Sequence, residues 1–174
     1  VAAGADVNAT DERLRTPLHR PASNGYVKVS QMLLGAGTKL HAKDIEGSTP
    51  LHESARRGHE GMSQMLLDAG ASFHATNDDG RTPLHESASY GRVEVTRILI
   101  AVKANIHATD KEGNTPLDLA KQQGRSTLVA LLEQGASPAC NHNTRRVTPT
   151  TATHRTVFFG LIIGRNRNGI ILGA

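Results

Sequence analysis

The chain has 174 residues, only 3% of them aromatic and none of them Trp, so the large side chains that usually fill a globular core of this length are scarce. The formal net charge of +4 arises in the last 35 residues, because residues 1–139 hold 15 Lys and Arg against 16 Asp and Glu. This nearly neutral body offers no basic stripe for nucleic acid, and a single cysteine, Cys140, excludes an internal disulfide bond.

A four-residue motif recurs along the chain at a fixed interval. Thr-Pro-Leu-His begins at Thr16, Thr49 and Thr82, and the motif returns every 33 residues. Its fourth copy, Thr-Pro-Leu-Asp, begins at Thr115. Repetition at this period indicates small units stacked in a row, because one such unit cannot bury its own apolar side chains. Glycine keeps the same interval at Gly25, Gly58, Gly91 and Gly124.

The third unit shows most clearly what each repeat is predicted to form. Residues 77–80 read Asn-Asp-Asp-Gly, which predicts a hairpin-like tip. Thr82 suits the N-cap of a helix and the proline after it suits the first helical position, so a first helix is predicted over residues 83–89. Gly91 then allows a left-handed turn, and a second helix is predicted over residues 93–101.

The period, the glycines and the Thr-Pro-Leu-His signature resemble those of the ankyrin repeat across residues 1–139, so the chain resembles a fragment of an ankyrin-repeat protein. The resemblance implies an all-α solenoid of helix–turn–helix units joined by β-hairpin-like loops. It also implies that the Thr and His of the motif hydrogen-bond within a unit and to the next unit. Asp118 interrupts this pattern, which indicates a terminal unit. The Thr/His pairs are Thr16/His19, Thr49/His52 and Thr82/His85.

On this period the chain divides into six segments. Residues 1–10 match the end of a unit whose helices are missing, and they predict an open N-terminal edge. Residues 140–174 carry no repeat. The four units between these segments are residues 11–43, 44–76, 77–109 and 110–139.

Several residues depart from the repeat pattern. Leu14 and Lys103 replace glycines, so both turns are expected to be strained or rearranged. Pro21 lies inside the first helix of unit one, where a proline removes a backbone hydrogen bond at a cost of about 3 kcal/mol. Unit one is therefore predicted to be the least stable. In unit four, the second helix is predicted near residues 127–133, one residue short, and the more polar composition suits a cap.

The last segment, residues 140–174, is basic and contains one apolar run at residues 157–163. That run is too short to cross a bilayer, which needs roughly 20 residues. Two explanations stay open: the segment begins a further domain, or it was never selected to fold. We favour a disordered basic tail, in which the apolar run is prone to aggregation if exposed.

Nine histidines invite the hypothesis of a metal site. Three of them, His41, His74 and His107, occupy one column of the repeat. Zinc ligands all lie about 2 Å from one ion, whereas equivalent residues of stacked units lie roughly 8–10 Å apart. A column therefore cannot converge on one ion, and we expect no metal and no cofactor.

Catalytic motifs are absent from the sequence. It contains no G-x-S-x-G, no H-E-x-x-H and no phosphate-binding glycine loop. The lone Cys140 lies in the predicted tail, whereas a nucleophile needs a base held in position beside it. We therefore expect that the chain is not an enzyme.

A stack of repeats leaves an extended concave surface for a partner. By resemblance to ankyrin repeats, the contacts come from the hairpin tips and the outward ends of the first helices. Interface energy concentrates in few residues, often Tyr and Arg, which singles out Tyr90, Arg57 and Arg81. The candidate partner-binding residues are Arg13, Arg15, Ile45, Glu46, Ser48, Arg56, Arg57, Asp78, Asp79, Arg81, Ser89, Tyr90, Lys111, Glu112, Asn114, Gln122 and Gln123, with Ser23 and Asn24 at a further helix end.

The sequence thus predicts a non-catalytic module that binds a protein partner as a monomer, without nucleic acid or membrane. Two alternatives stay open: a regulatory or substrate-recruiting segment of a larger enzyme or signalling protein, and a structural spacer with no partner. The lone cysteine and the lack of a signal-peptide pattern favour an intracellular location, cytoplasmic or nuclear.

Overall fold

The computed structural model describes Gly4 and residues 6–136. Eight helices form in this part of the chain, and none of its residues forms a strand. The helices alternate between the first and the second helix of each unit. The first helices are α1 (His19–Asn24), α3 (Pro50–Arg57), α5 (Pro83–Ser89) and α7 (Pro116–Gln122). The second helices are α2 (Val27–Gly35), α4 (Glu60–Asp68), α6 (Val93–Ala101) and α8 (Ser126–Ala136).

These helices pack as two rows. Each first helix contacts the first helix of the next unit, and each second helix contacts the second helix of the next unit. Within every unit the two helices also pack against each other. The predicted all-α repeat fold is therefore confirmed, as are the two helices predicted for unit three. The predictions for residues 140–174 lie outside the described residues.

The Thr-Pro-Leu-His motif both starts a helix and joins two units. In unit three the backbone N–H of Thr82 donates to Nδ1 of His85 at 3.1 Å. Because Nδ1 accepts there, the ring proton is on Nε2, which donates to the backbone carbonyl of Asn114 in the next unit at 3.2 Å. The hydrogen bonds that the resemblance implied, within and between units, are thus present. The equivalent inter-unit pairs are His19 with the carbonyl of Ser48 and His52 with the carbonyl of Arg81.

Asp118 preserves half of this arrangement. Its carboxylate accepts from the backbone N–H of Thr115 at 2.9 Å and from the Thr115 hydroxyl at 2.6 Å. The expectation that the motif fails at Asp118 is therefore wrong for the cap, because a carboxylate accepts as well as an imidazole nitrogen does. A carboxylate has no N–H group to donate as Nε2 of histidine does, so Asp118 cannot make the bond between units.

Leucines fill the thin layers between units. Leu84 and Leu99 have no exposed surface, and burial of each such side chain stabilises the fold by about 1.5–3 kcal/mol. Stability therefore comes from the contacts between neighbouring units. The deeply buried apolar residues are Leu18, Leu51, Met62 and Leu66 in one cluster, and Leu84, Val95, Leu99, Leu128 and Leu132 in the other.

Two non-glycine residues keep the left-handed turn that glycine adopts elsewhere. Leu14 has φ of 57° and Lys103 has φ of 65°. The N–H of Leu14 still donates to the carbonyl of Asp11 at 2.9 Å, as Gly47 does to Asp44. Both turns are therefore strained rather than rearranged, at roughly 1–2 kcal/mol for each side chain.

Pro21 changes both the start and the interior of α1. Helix α1 begins at His19, two residues later in the repeat than the other first helices. Pro21 has no N–H to donate to Pro17, so the first backbone bond of this helix runs from Ala22 to Leu18, at 3.0 Å.

A hydroxyl pair links the two helices of units two and three. Ser54 and Ser63 lie 3.0 Å apart through their Oγ atoms, and Ser87 pairs with Thr96 in the same way at 2.9 Å. In unit one Pro21 takes the place of the first partner, and the buried hydroxyl of Ser30 has no hydrogen-bond partner within the described residues.

Helix α8 is longer than predicted. It runs over 11 residues, Ser126–Ala136, whereas α4 and α6 have nine residues each. The expectation of a shortened helix near residues 127–133 is therefore wrong. Gly135 does not adopt the left-handed conformation that ends α4 at Gly70, so the helix continues.

Candidate functional site

The four hairpin tips are linked to one another by their backbones. In each link, a backbone N–H of one tip donates to a backbone carbonyl of the preceding tip, at 2.8–2.9 Å. These bonds fix the spacing of the tips along the stack. The donor and acceptor pairs are Ile45 and Arg13, Asp78 and Glu46, and Lys111 and Asp79.

The side chain of the first residue in each tip also holds the tip in its conformation. Asp44 accepts from the backbone N–H of Glu46 at 3.0 Å and from that of Ser48 at 2.8 Å, which closes an Asx turn. The outward residues of a tip are therefore preorganised, and ordering them costs little on binding. The same role falls to Asp11, Asn77 and Asp110 in the other units.

Most of the predicted contact residues reach solvent. Ile45 and Tyr90 are about half exposed, at 55% and 47%. Ser48 is only 4% exposed, so its prediction as a contact residue is wrong. Its backbone N–H closes the tip by donating to Asp44, and its backbone carbonyl accepts from Nε2 of His19. The other exposed candidates are Arg13, Glu46, Arg57, Asp78, Asp79, Lys111, Glu112, Gln122 and Gln123, with Asn24. Half-buried are Arg15, Arg56, Arg81, Ser89 and Asn114, with Ser23.

Arg81 is tied to the next tip. Its Nε lies 3.3 Å from Oδ2 of Asp110, a carboxylate with 1% of its side chain exposed. Burial raises the pKa of Asp110, but hydrogen bonds from Asn114 and Arg81 outweigh burial and hold this pKa below its usual value. Arg81 thus joins units three and four, whereas Arg57 and Tyr90 are open to solvent.

A groove runs between the tips and the first helices. One cavity of about 280 Å³ lies between units one and two, and another of about 320 Å³ extends to unit three. The two share Arg13, Glu46, Arg56 and Arg57, so they form one continuous surface, which we call the concave groove. Tyr90 and Arg92 line its far end.

Arginine dominates the lining of the concave groove. Arg56 is paired with Glu53 and lies 3.9 Å from Glu46. Arg13 contacts the other oxygen of Glu46 at 2.8 Å, with both side chains at least half exposed. The six lining arginines are Arg13, Arg15, Arg20, Arg56, Arg57 and Arg92, and the three lining acids are Asp44, Glu46 and Glu53.

Comparison with known proteins decides the family. A sequence model of ankyrin repeats, in three copies, matches residues 1–77 and 64–143. The chain belongs to the ankyrin-repeat family. Ankyrin repeats are generally protein–protein interaction modules and are typically non-catalytic. No curated protein matches this chain.

The sequence analysis missed one repeat position that links neighbouring ankyrin units. It is the residue directly before the second helix, whose side chain reaches the first helix of the preceding unit. Nε2 of His59 donates to the carbonyl of Ser23 at 3.0 Å, and Nε of Arg92 donates to that of Arg56 at 2.9 Å. These side chains cap the C-terminal end of the first helix in the preceding unit. The signal was available, because a long polar residue precedes the second helix in units two, three and four.

Gly58 shows why glycine follows the first helix at the place where this capping side chain approaches. Its φ is +84°, and a Cβ there would lie 2.7 Å from Cδ of Arg92. A side chain at this position would strain the backbone and displace the capping arginine.

Neither a metal-ligand cluster nor a membrane-spanning helix is present in the described part of the ankyrin stack, Gly4 and residues 6–136. No three His, Cys, Asp or Glu side chains there come together as metal ligands. None of the helices in that part combines the length and the apolar character that crossing a membrane requires.

Proposed function

We propose that the chain is a non-catalytic ankyrin module that binds a protein partner, as a monomer, through its hairpin tips and concave groove. The continuous groove carries this proposal: it is bordered by tips whose backbones are already fixed. Fixed loops above a packed scaffold bind at low entropic cost. Arg57 and Tyr90 are the types of side chain that supply most interface energy.

The test is affinity capture with the full chain, comparing the parent with Arg57→Ala/Tyr90→Ala. We expect the double variant to lose a captured protein that the parent retains, with ΔΔG of about 2 kcal/mol or more, as for hot-spot residues. A matched control, Arg97→Ala/Tyr26→Ala, removes the same residue types from exposed positions outside the groove lining. The control should retain the partner.

Equal retention by both variants would refute binding through this surface. If the parent captures no protein at all, the stack acts as a spacer and the proposal is wrong. Light scattering of the isolated chain measures the monomer directly, and a concentration-independent dimer would overturn that part.

A further inference from the structure

The concave groove has an excess of positive charge that the rest of the stack does not share. Its lining holds six arginines and three acids, whereas residues 1–139 as a whole are net negative by one charge. The exposed tip residues of units three and four carry a negative charge instead, with Asp78, Asp79 and Glu112 against Lys111. The lining of the concave groove is therefore basic, whereas the exposed tip residues of units three and four are acidic.

The acids of the groove are already engaged. Glu53 is 7% exposed and pairs with Arg56. Asp44 accepts from the amides of its own tip. Glu46 alone is exposed, and its contact with Arg13 is a surface ion pair that water screens, so it contributes little stability.

Several arginines have capacity left for a ligand. Arg20 and Arg57 are exposed, and neither makes an ion pair or a side-chain hydrogen bond within residues 6–136. Arg13 can exchange Glu46 for another carboxylate at little cost. Arginine binds carboxylates through two parallel hydrogen bonds, which gives both orientation and strength.

On these grounds, and resting on the proposed function, we infer that the concave groove binds an acidic, extended segment of the partner protein. Carboxylates of that segment contact Arg13, Arg20 and Arg57. Tyr90, at the far end of the groove, packs against an apolar residue of the same segment.

The length and the charge pattern of the groove favour a peptide over other anions. Three stacked units span roughly 20 Å at 8–10 Å for each step, which accommodates about six extended residues at 3.3 Å each. A nucleic acid would need further basic surface along its backbone, but the exposed acids of Asp78 and Asp79 follow the basic section and would repel it.

The test uses fluorescence anisotropy with the full chain and a labelled, end-blocked peptide of about eight residues, rich in Glu, with one Phe. Matched peptides carry Gln or Lys in place of Glu. We expect binding of the Glu peptide that strengthens as salt is lowered, and none of the Gln or Lys peptide. Binding of the Gln peptide with equal affinity would overturn the inference, because charge would then contribute nothing.

Variants locate the binding on the groove. Arg20→Gln/Arg57→Gln should weaken the Glu peptide by roughly tenfold or more, as expected for the loss of charge-assisted pairs. Lys28→Gln/Arg97→Gln removes the same charge from exposed positions on α2 and α6 and should change affinity less than twofold, an effect of order 0.4 kcal/mol. Equal weakening by both pairs would show unspecific attraction and overturn the inference.

A variant of opposite sign sharpens the assignment. Glu46→Gln removes the carboxylate that competes for Arg13 and Arg56, so the Glu peptide should bind several-fold tighter. Weaker binding by this variant would contradict the arrangement.

Control experiments separate other sources of binding. Replacing the five arginines after residue 140 by Gln should leave the affinity for the Glu peptide unchanged. Loss of binding would place the site in that segment and overturn the inference. Inorganic phosphate, a single-stranded oligonucleotide and unlabelled Glu peptide are also compared as competitors. If phosphate or the oligonucleotide displaces the labelled Glu peptide at a concentration at which the unlabelled Glu peptide does not, the inference is wrong.

The outcome for the peptide and the outcome for the proposed function are distinguishable. If Arg57→Ala/Tyr90→Ala abolishes capture of a protein but the Glu peptide does not bind, the groove is a protein-binding surface with another ligand chemistry. If neither occurs, both proposals fail.

Discussion

Units one and three follow the same pattern, yet their interiors differ at the positions that complete hydrogen bonds. In unit three Ser87 pairs with Thr96, and Gly80 forms the tip turn without strain. In unit one Pro21 leaves the hydroxyl of Ser30 without a partner among the described residues, and Leu14 adopts the turn with positive φ. A repeat thus tolerates substitutions one position at a time, but each buried polar position depends on a partner elsewhere in the same unit.

The difference also concerns function, because unit one lines half of the concave groove. Binding surfaces are drawn from the less stable parts of a protein, where side chains and loops can adjust. The regular third unit anchors the stack, and unit one supplies Arg13 and Arg20 to the groove.

The largest expected effect compares equivalent core leucines. Leu84→Ala should lower the free energy of unfolding by about 2–5 kcal/mol, since its side chain is fully buried between units two and four. Leu18→Ala in unit one should lower the midpoint of the whole stack less, because unit one opens locally before the rest. Urea denaturation followed by circular dichroism measures both; a larger effect of Leu18→Ala would reverse the predicted order of stability.

Exchanging the Pro21 and Ser87 positions tests the hydroxyl pair. Ser87→Pro should cost about 3 kcal/mol, because proline removes a helix hydrogen bond and leaves Thr96 unsatisfied. Pro21→Ser should stabilise unit one by about 1–3 kcal/mol by restoring the backbone bond and pairing Ser30. Thermal and urea unfolding measure both changes. Ser30→Ala removes the unsatisfied hydroxyl instead of pairing it, so it should also stabilise unit one, by about 1–3 kcal/mol. Destabilisation by Pro21→Ser would contradict this explanation of unit one.

Acidification should weaken the regular units through their buried histidines. Burial lowers the pKa of His52 to about 4 and also lowers the pKa of His85. Between pH 6.5 and 4 these histidines are therefore protonated in the unfolded chain but remain neutral in the folded chain. Their contribution to the free energy of unfolding is complete above about pH 6.5 and decreases as the pH falls. For His52 alone the loss is about 3 kcal/mol.

Urea midpoints across this pH range measure the effect. His52→Gln should be less stable than the parent at pH 7 and should show a shallower pH dependence, because Gln does not titrate in this range. An unchanged pH slope in this variant would rule out His52 as the source.

The smallest effects concern the strained turns. Leu14→Gly should stabilise unit one by about 1 kcal/mol, because glycine adopts positive φ freely and the lost side chain is 52% exposed. Lys103→Gly should act likewise in unit three. Asp79→Ala, at an exposed tip position, is the control and should change stability by less than about 0.5 kcal/mol. Melting temperatures suffice, and destabilisation by both glycines would show that these turns are not strained.

Features that repeat along the sequence could be predicted, because each is decided by local chemistry. The motif caps the first helix in units two, three and four, and its leucine is buried in every unit where a neighbour covers it. The strain at Leu14 and the effect of Pro21 also followed from backbone geometry alone.

Some features that depend on neighbouring units could not be predicted from the repeat pattern. Ser48 looked like an outward tip residue, but its carbonyl receives His19 from the preceding unit. The concave groove is basic only because arginines distant in sequence, such as Arg13 and Arg57, meet in space. Pattern reasoning places residues on a face but does not show which side chains already have partners.

Native-state hydrogen exchange of the full chain tests the central contrast most directly. The backbone amides of α1 and α2 should exchange faster than those of α5 and α6, and Pro21→Ser should slow exchange in α1 and α2 while leaving α5 and α6 unchanged. Unit-one amides as well protected as those of unit three in the parent chain, or unaffected by Pro21→Ser, would contradict the account.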